Sequence, residues 1–267
     1  MIKLIATDID GTLVKDGTLE IDPEYMEVVG KLVEKGMIFV ACSGRQYRSE
    51  RKLFAPVADR LLYVSDGGTV VRTPEKILKV HTLDEAVWKE MCTMVREQMP
   101  SCDYYLSTPE CSFAEDGGSR MFHWLRDSYG YDMHELSELS RLTDQQVIKF
   151  SVYHPNACEE MCAPLFTPSW KDQVTLVSAG KEWMDATPIG AGKGSALAFL
   201  QEFLGISPEE TCTFGDNIND IEMLQEVGLS FAVSNAREEV RNAAKDICRP
   251  YWENGVLEIS EILPLTL

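Results

Sequence analysis

Hydrophobic positions in residues 1–83 fall into short continuous runs separated by a stretch with helical spacing. "KLIATD", "MIFVACSGR" and "LLYVSDGG" predict three buried strands, because apolar residues fill most of each run. "PEYMEVVGKLVEKG" predicts a helix between the first two, with Pro23 near its start and Gly36 at its end. A strand, a helix and a strand at this spacing are typical of right-handed βαβ units in a parallel sheet.

The pattern changes between residues 84 and 186. The strands predicted by "CDYYLST", "QQVIKFSVYH" and "QVTLVSAG" alternate more, which is typical of a sheet with one solvated or loosely covered face. Helical spacing is found in "DEAVWKEMCTMVREQM" and around residues 119–129 and 156–166. This segment is therefore predicted to form a separate α+β unit.

After "DATPIGAGKG" the first pattern returns. "SALAFLQEFLG", "DIEMLQEVG" and "AREEVRNAAKD" predict helices, and "TCTFGD" and "LSFAVS" predict the strands between them. The whole chain is predicted to be α/β, with a Rossmann-like three-layer core and a mainly parallel sheet formed by residues 1–83 and 187–267. Residues 84–186 are predicted to be an inserted α+β domain.

Composition narrows the possible partners. The 267 residues carry a formal charge of -18, which repels phosphate backbones, so we expect no nucleic-acid partner. No apolar run approaches the roughly 18 residues of a membrane span, and the stretch before Asp8 is too short for a signal peptide. We expect a cytoplasmic protein with no membrane partner and no obligate protein partner. The eight cysteines include no CxxC pair, so we expect free reduced thiols.

Polar residues follow several of the predicted core strands. Ligands of open α/β sheets bind outside the carboxyl ends of the strands, so these residues are expected to meet at one edge of one sheet. They come from distant parts of the chain, and their convergence carries more weight than any single motif. The candidate positions are Asp8, Asp10, Ser43, Gly44, Arg45, Lys193, Asp216, Asn219 and Asp220.

Three of the carboxylates among these candidates are Asp8, Asp10 and Asp216. Two unit charges 4 Å apart repel each other by about 4 kcal/mol at an effective dielectric constant near 20. Three carboxylates at one sheet edge therefore require protonation or a cation between them. A hard divalent ion takes oxygen ligands, and Mg²⁺ is the usual ion where phosphate is the partner.

Other motif assignments fail at specific positions. An EF-hand loop beginning at Asp8 would need Gly and Glu where the chain has Leu13 and Leu19. "GAGKGS" is not a Walker phosphate loop, because the chain has Thr187 in place of the required glycine and Gly194 in place of the required hydroxyl residue.

Four motifs in order resemble those of the haloacid dehalogenase superfamily: "DIDGTL" at 8–13, "SGR" at 43–45, "KG" at 193–194 and "GDNIND" at 215–220. Their spacing, with a long insertion between the second and third, is similar to that of the Cof-type phosphatases, which carry a large type-two cap. The resemblance spans the whole chain. It implies that residues 84–186 are a cap domain controlling substrate access.

The resemblance also implies roles for the residues of the first motif. Asp8 would be the nucleophile that forms an aspartyl-phosphate. Asp10 would protonate the leaving oxygen and then activate water, and its backbone carbonyl would reach the metal. Thr12 would hold the Asp10 side chain, and Gly11 would permit the sharp exit from the strand.

The remaining motifs imply phosphate and metal binding. Lys193 would balance charge between phosphate and Asp8, and Asp216 would complete the metal ligands with Asp8 and Asp10. Asp220 would orient Lys193 or a metal-bound water, although stabilisation of a helix N-terminus is an alternative. Arg45 is interpreted as structural. The implied phosphate-binding residues are Ser43, Gly44, Lys193 and Asn219.

These residues favour an Mg²⁺-dependent phosphatase acting on a small-molecule phosphate ester, with sugar phosphates implied by the resemblance. A phosphomutase or phosphotransferase would use the same aspartyl-phosphate, so the motifs leave that alternative open. A phospho-receiver module is disfavoured because it would explain neither Asp10 nor the insertion. An inactive phosphate-binding protein is disfavoured because every expected catalytic side chain is present. One departure is Asp66, where the family commonly has Asn before Gly67.

Overall fold

The computed structural model describes residues 1–179 and 181–262. Its strands are β1 Leu4–Thr7, β2 Ile38–Cys42, β3 Leu62–Ser65, β4 Val70–Arg72, β5 Ile77–Val80, β6 Asp103–Ser107, β7 Ser112–Ala114, β8 Met133–Glu135, β9 Lys149–Tyr153, β10 Val174–Ala179, β11 Trp183–Pro188, β12 Thr211–Gly215, β13 Leu229–Val233 and β14 Asp246–Cys248. Its α-helices are α1 Glu24–Glu34, α2 Tyr47–Leu53, α3 Glu85–Gln98, α4 Arg120–His123, α5 Cys158–Trp170, α6 Lys193–Leu204, α7 Ile221–Gln225, α8 Glu238–Ala243 and α9 Gly255–Ile262.

The chain divides into two compact units. The first unit consists of residues 1–79 and 192–267, and the second consists of residues 80–191. Within the described ranges, no helix combines the length and the apolar character that a membrane span requires.

An eight-stranded sheet organises the first unit, in the order β14-β13-β12-β1-β2-β3-β4-β5. The six strands from β14 to β3 run parallel to their neighbours, and β4 runs antiparallel to β3. Together with the second sheet described below, this confirms the predicted mixed α/β architecture with a mainly parallel core sheet. The short strands β4 and β14 have three residues each, too few for a hydrophobic pattern to reveal.

Helices cover both faces of this sheet, which explains why β1 is apolar and fully buried. Successive side chains of a strand point to opposite faces. Ile5 packs with Val29 of α1 and Leu257 of α9 in one cluster. Leu4, on the other face, packs with Leu200 of α6 in a second cluster. The central strands are thus held between two layers of helices.

A six-stranded sheet organises the second unit, in the order β10-β11-β9-β6-β7-β8. It is antiparallel except for the β7–β8 pair. Phe150 of β9 packs with Met91 of α3 and Phe166 of α5 on one face. On the other face, Tyr105 and Tyr153 are buried in an aromatic cluster. The prediction of a loosely covered second face is therefore wrong where these aromatic side chains lie.

The helices of the second unit differ in length from their predicted bounds. α5 continues through Pro164 and Pro168 to Trp170, whereas the sequence pattern ends near residue 166. Proline removes a backbone donor and normally ends a helix, but burial of Phe166 and Trp170 in the core favours its continuation. The pattern around 119–129 forms α4 followed by a π-helical turn at Trp124–Ser128. "QVTLVSAG" forms β10, and Gly180 lies outside the described residues.

Two adjacent glycines after β3 give a matched test of backbone packing. Gly67 and Gly68 both have positive φ, 75° and 98°. A Cβ on Gly68 would lie 2.3 Å from the carbonyl carbon and oxygen of Gly192, whereas a Cβ on Gly67 would meet nothing within 4 Å. We predict that Gly67→Ala costs about 1–2 kcal/mol of unfolding free energy from its φ alone. Gly68→Ala should cost at least about 2 kcal/mol more, because backbone cannot move aside as a side chain can.

Urea unfolding of the two variants would measure this difference. Since Gly192 immediately precedes Lys193, Gly68→Ala should also displace that lysine. Equal free energies of unfolding for the two variants would contradict the backbone collision.

Candidate active site

The strand order brings three of the predicted polar segments side by side. β1 lies between β12 and β2, and all three are parallel, so their carboxyl ends share one edge of the sheet. Asp8 follows β1, Ser43 follows β2 and Asp216 follows β12. The backbone N–H of Asp8 still donates to Phe214 O at 3.0 Å, and that of Ser43 to Val64 O at 2.9 Å. Asp8 and Ser43 are therefore fixed by the last hydrogen bonds of the sheet.

Lys193, the first residue of α6, joins two carboxylates at this edge. Its Nζ donates to Asp8 Oδ1 and to Asp220 Oδ1, each at 2.6 Å. The three side chains are almost completely buried, with 1% of Lys193, 6% of Asp8 and 0% of Asp220 exposed. Water cannot screen this arrangement, so its charges interact strongly.

The neighbours of Lys193 decide its charge. Burial alone would lower the pKa of the Lys193 ammonium, but Asp220 and Asp8 outweigh burial and hold this pKa well above its ordinary value. Burial raises the pKa of Asp220 to about 6, although Lys193 opposes that shift. The lysine is therefore a fixed positive charge beside Asp8.

Asp220 is fully engaged by the protein. Besides its bond from Lys193 on Oδ1, its Oδ2 accepts the backbone N–H groups of Asp216 and Asn217, both at 3.0 Å. It thus holds both Lys193 and the turn after β12. Gly215 must lack a side chain here, because a Cβ would lie 2.6 Å from Asp220 Cβ.

Asp216 completes a group of three clustered carboxylates. Single carboxylate oxygens of Asp8, Asp216 and Asp220 all lie within 4.8 Å of one another. Burial, then the negative charges of Asp8 and Asp220, raise the pKa of Asp216 to about 9. Its Oδ2 sits against Gly11, where a Cβ would lie only 2.3 Å away. Gly11, with a φ of 82°, therefore lets the loop after β1 approach this carboxylate.

The prediction that Thr12 holds Asp10 is wrong in this structure. Thr12 Oγ1 donates instead to Asp216 Oδ1 at 3.2 Å. Asp10 is held by Arg45, whose Nε donates to Oδ2 at 2.7 Å and whose Nη2 donates to Oδ1 at 2.6 Å. Burial raises the pKa of Asp10 to about 6, although Arg45 opposes the shift. The Asp10 carboxylate is not part of the three-carboxylate cluster found among the described residues.

The predicted phosphate-binding residues have different settings. Ser43 is buried, and its Oγ accepts the backbone N–H of Arg45 at 3.1 Å. Gly44 lies between them at the end of β2, with open space where a Cβ would be. Asn219 is exposed in the 3-10 turn Ile218–Asp220. The topology places all three near this sheet edge.

Two further residues shape the loops around the cluster. Asn235 was not among the predicted site residues, yet its Nδ2 donates to Gly11 O at 2.8 Å and its Oδ1 accepts from Tyr251 N at 3.1 Å. Asp66 is buried with a φ of 49°, so the turn after β3 adopts the left-handed conformation that Asp tolerates. Its N–H donates to Arg45 O at 2.7 Å.

A cation fits the carboxylate cluster. Asp8 Oδ2 is buried and has no hydrogen-bond partner among the described residues, so one acceptor of the cluster remains free. Three carboxylates face a single lysine, and their oxygens are the ligands that hard divalent cations prefer. Because Asp220 already accepts three hydrogen bonds, Asp8 and Asp216 are the side chains with more capacity for a metal.

Comparison with known protein families identifies the family of this chain. The family of haloacid dehalogenase-like hydrolases matches residues 5–259. The chain belongs to this family. The match covers both halves of the first unit and the whole of the second, and it confirms the resemblance inferred from the four motifs.

Named relatives of this haloacid dehalogenase-like chain include phosphatases. The Escherichia coli 5-amino-6-(5-phospho-D-ribitylamino)uracil phosphatase YbjI is 26% identical, over 97% of this chain and 94% of its own length. A crystal structure from Eubacterium rectale is 58% identical, with a TM-score of 0.89, covering 98% of this chain and 99% of that one. The subclass IIB sugar phosphatase BT4131, at 21% identity, covers 98% and 99% with a TM-score of 0.80, and so shares the fold. The prediction of a phosphatase-type hydrolase is confirmed at the level of the family.

Proposed function

We propose that this protein is an Mg²⁺-dependent phosphatase that hydrolyses small phosphorylated metabolites, with sugar phosphates as the main class, through an aspartyl-phosphate on Asp8. The observation that carries the proposal is the setting of Asp8. One of its oxygens accepts a hydrogen bond from the buried Lys193, and the other is buried without a hydrogen-bond partner among the described residues. A carboxylate held in this way at the end of a central strand suits a nucleophile.

The first half-reaction forms a phosphorus–oxygen bond to Asp8. As a carboxylate oxygen of Asp8 attacks phosphorus, the ester oxygen leaves and takes a proton from Asp10. Lys193 neutralises charge on the phosphoryl group and Asp8, and Asp220 holds Lys193 in place. Ser43 and the Gly44 amide, with Asn219, would bind the phosphoryl oxygens. These groups position the phosphoryl group, which is most of what such a transfer requires.

The second half-reaction regenerates the enzyme. Asp10 takes a proton from water, the water oxygen attacks phosphorus, and the bond to Asp8 breaks to release inorganic phosphate. Asp10 thus returns to its protonated form for the next turnover, and Asp8 returns as a carboxylate.

Mg²⁺ would be held by the side chains of Asp8 and Asp216 and by the backbone carbonyl of Asp10. When bound, it would neutralise negative charge on the carboxylates and the phosphoryl group. Thr12 and Asn235 support this arrangement, because Thr12 donates to Asp216 and Asn235 donates to the Gly11 carbonyl. Gly11 keeps the space beside Asp216 open.

The proposed substrate class is defined by the chemistry of the leaving group. The name of the Escherichia coli relative includes a phosphorylated ribityl chain, which supports a polyhydroxylated phosphate ester for this chain as well. We propose that residues 84–186 act as a cap that controls access of the ester and contacts its leaving group. A cytoplasmic location and the absence of an obligate protein partner stay predictions.

The proposal is tested with p-nitrophenyl phosphate and a panel of sugar phosphates. The protein with Mg²⁺ should release phosphate, EDTA should stop the release, and Asp8→Asn should lower the rate on the order of 10⁴-fold or more. Asp59→Asn is the matched control, because Asp59 is an exposed partner of Arg51. Borohydride reduces an aspartyl-phosphate to homoserine and releases phosphate, so peptide mass spectrometry after reduction should find homoserine at position 8.

Three results would reject the proposal. An active enzyme whose Asp8→Asn variant keeps its rate would exclude the aspartyl-phosphate, and binding of esters without turnover would indicate a phosphate-binding protein. Glucose 1-phosphate converted to another sugar phosphate, without release of inorganic phosphate, would instead show a phosphomutase.

A further inference from the structure

We infer that Arg45 is a positioning residue that fixes the direction of the Asp10 carboxylate, so that proton delivery to the leaving oxygen depends on Arg45. This inference rests on the proposed function. It differs from the interpretation of Arg45 as a purely structural residue. The contact that carries it joins the loop after β2 to the loop after β1.

Arg45 holds Asp10 through two parallel hydrogen bonds. Nε and Nη2 each contact a different oxygen of the carboxylate, so the planar guanidinium fixes the plane of the carboxylate as well as its position. Oδ1 of Asp10 also accepts the backbone N–H of Gly17 at 3.4 Å, so Oδ2 is the oxygen that keeps a second lone pair for proton transfer. A lysine in place of Arg45 would supply a charge but not this plane.

Arg45 is itself rigid. Its side chain is 1% exposed, whereas that of Asp10 is 22% exposed, so the buried partner orients the more accessible one. Nη2 also donates to Thr18 O at 2.8 Å. The backbone of Arg45 is held on both sides, because its N–H donates to Ser43 Oγ and its carbonyl accepts the N–H of Asp66.

Three fixed points thus determine the position of the guanidinium: the end of β2, the turn after β3 and the Thr18 carbonyl. An alternative is that these contacts do no more than hold the loop that contains Thr18. A structural role of that kind would lower activity toward every ester equally. A role through Asp10 would depend on how much the leaving group needs a proton.

Leaving groups of different basicity separate these two roles. p-Nitrophenolate departs without a proton, whereas a sugar alkoxide requires one. The kinetic parameter to compare is kcat/KM, which reports steps through departure of the leaving group. Arg45→Met should lower kcat/KM about 100-fold for glucose 6-phosphate and less than about 5-fold for p-nitrophenyl phosphate. Arg45→Lys should resemble Arg45→Met, because the direction of the carboxylate decides the effect.

A double-mutant cycle with Asp10→Asn makes the test specific. If Arg45 acts through Asp10, then adding Arg45→Met to Asp10→Asn should cause no further loss with glucose 6-phosphate. This comparison also serves where Arg45→Met alone is too unstable to purify, since the double variant has no buried unpaired charge. Arg60→Met is the matched control, because Arg60 likewise pairs with a carboxylate, Glu34, and a backbone carbonyl, that of Gly30.

Three outcomes would overturn the inference: equal losses for both esters, an additive loss in the Asp10→Asn background, or full rescue of the sugar ester by Arg45→Lys. Each presupposes a wild-type enzyme that hydrolyses both esters with Mg²⁺. A wild-type protein with no hydrolysis would reject the proposed function instead, so the two failures are distinguishable.

Discussion

Replacing Lys193 by methionine is expected to lower kcat/KM for p-nitrophenyl phosphate about 10³-fold and to destabilise the metal-free protein by about 3–5 kcal/mol. Both effects have one origin. Lys193 is the buried cation that contacts Asp8 and Asp220, and methionine would leave both carboxylates without it. Methionine fills a similar volume, so packing is largely preserved and the loss reports on charge.

Steady-state kinetics and urea unfolding in EDTA would measure the two effects. Lys3→Met is the matched control, because Lys3 pairs with Glu210 at 2.5 Å but is 52% exposed. An exposed pair contributes at most about 1 kcal/mol, and this one lies at the start of β1, away from the carboxylate cluster. Equal destabilisation by the two substitutions would contradict the buried charge balance described for Lys193.

The positions of the candidate site residues could be predicted because they depend on strand ends. β1, β2 and β12 are buried on both faces, so each is recognisable as a short run of mostly apolar or β-branched residues that is followed by a polar one. In a parallel sheet those ends share an edge whatever the details of packing. The meeting of Asp8 and Asp216 follows from that rule once β1 and β12 are neighbours in the sheet.

The hydrogen-bond partners of these residues could not be predicted in the same way. Thr12 turns to Asp216, 204 residues away in the sequence, and Asp10 turns to Arg45, 35 residues away. Such choices depend on side-chain directions that tertiary packing fixes, and sequence spacing does not report them. The sequence offers one signal, an arginine three residues after a buried strand, because an arginine that becomes buried there, as Arg45 does, needs a partner.

Some secondary-structure elements of the second unit could not be predicted from the sequence either. β7 and β8 have three residues each, and α5 contains two prolines, so local pattern and propensity give little sign of either. The positions of these elements depend on the side chains that pack against them in the folded protein. The aromatic cluster around Tyr105 forms from residues separated widely in the sequence, including Phe122 and Tyr153. Only the folded sheet brings those side chains together.

Asp216→Asn is expected to remove the stabilisation of the protein by Mg²⁺ and to lower turnover on the order of 10³-fold. Asparagine keeps the size of the side chain and its hydrogen bond from Thr12, but it removes one of the three clustered carboxyl groups. Without metal, the variant should be as stable as the wild type or more stable, because burial and the neighbouring Asp8 and Asp220 already disfavour the charged form of Asp216 and raise its pKa to about 9, whereas asparagine is always neutral. The wild type should gain about 2.7 kcal/mol at a Mg²⁺ concentration 100 times its Kd, whereas the variant should gain almost nothing.

Thermal unfolding with and without Mg²⁺, together with calorimetric titration of the metal, would measure these effects. Asp59→Asn again controls for loss of an aspartate, since its exposed ion pair with Arg51 lies on the surface. This combination of results is specific to a metal ligand. If Asp216 were only structural, its replacement would destabilise the metal-free protein. If Asp216 had no part in metal binding, the response of the variant to Mg²⁺ would equal that of the wild type. If Mg²⁺ stabilised Asp216→Asn as much as the wild type, Asp216 would not be a metal ligand. The proposal that the clustered carboxylates bind Mg²⁺ through Asp216 would then be wrong.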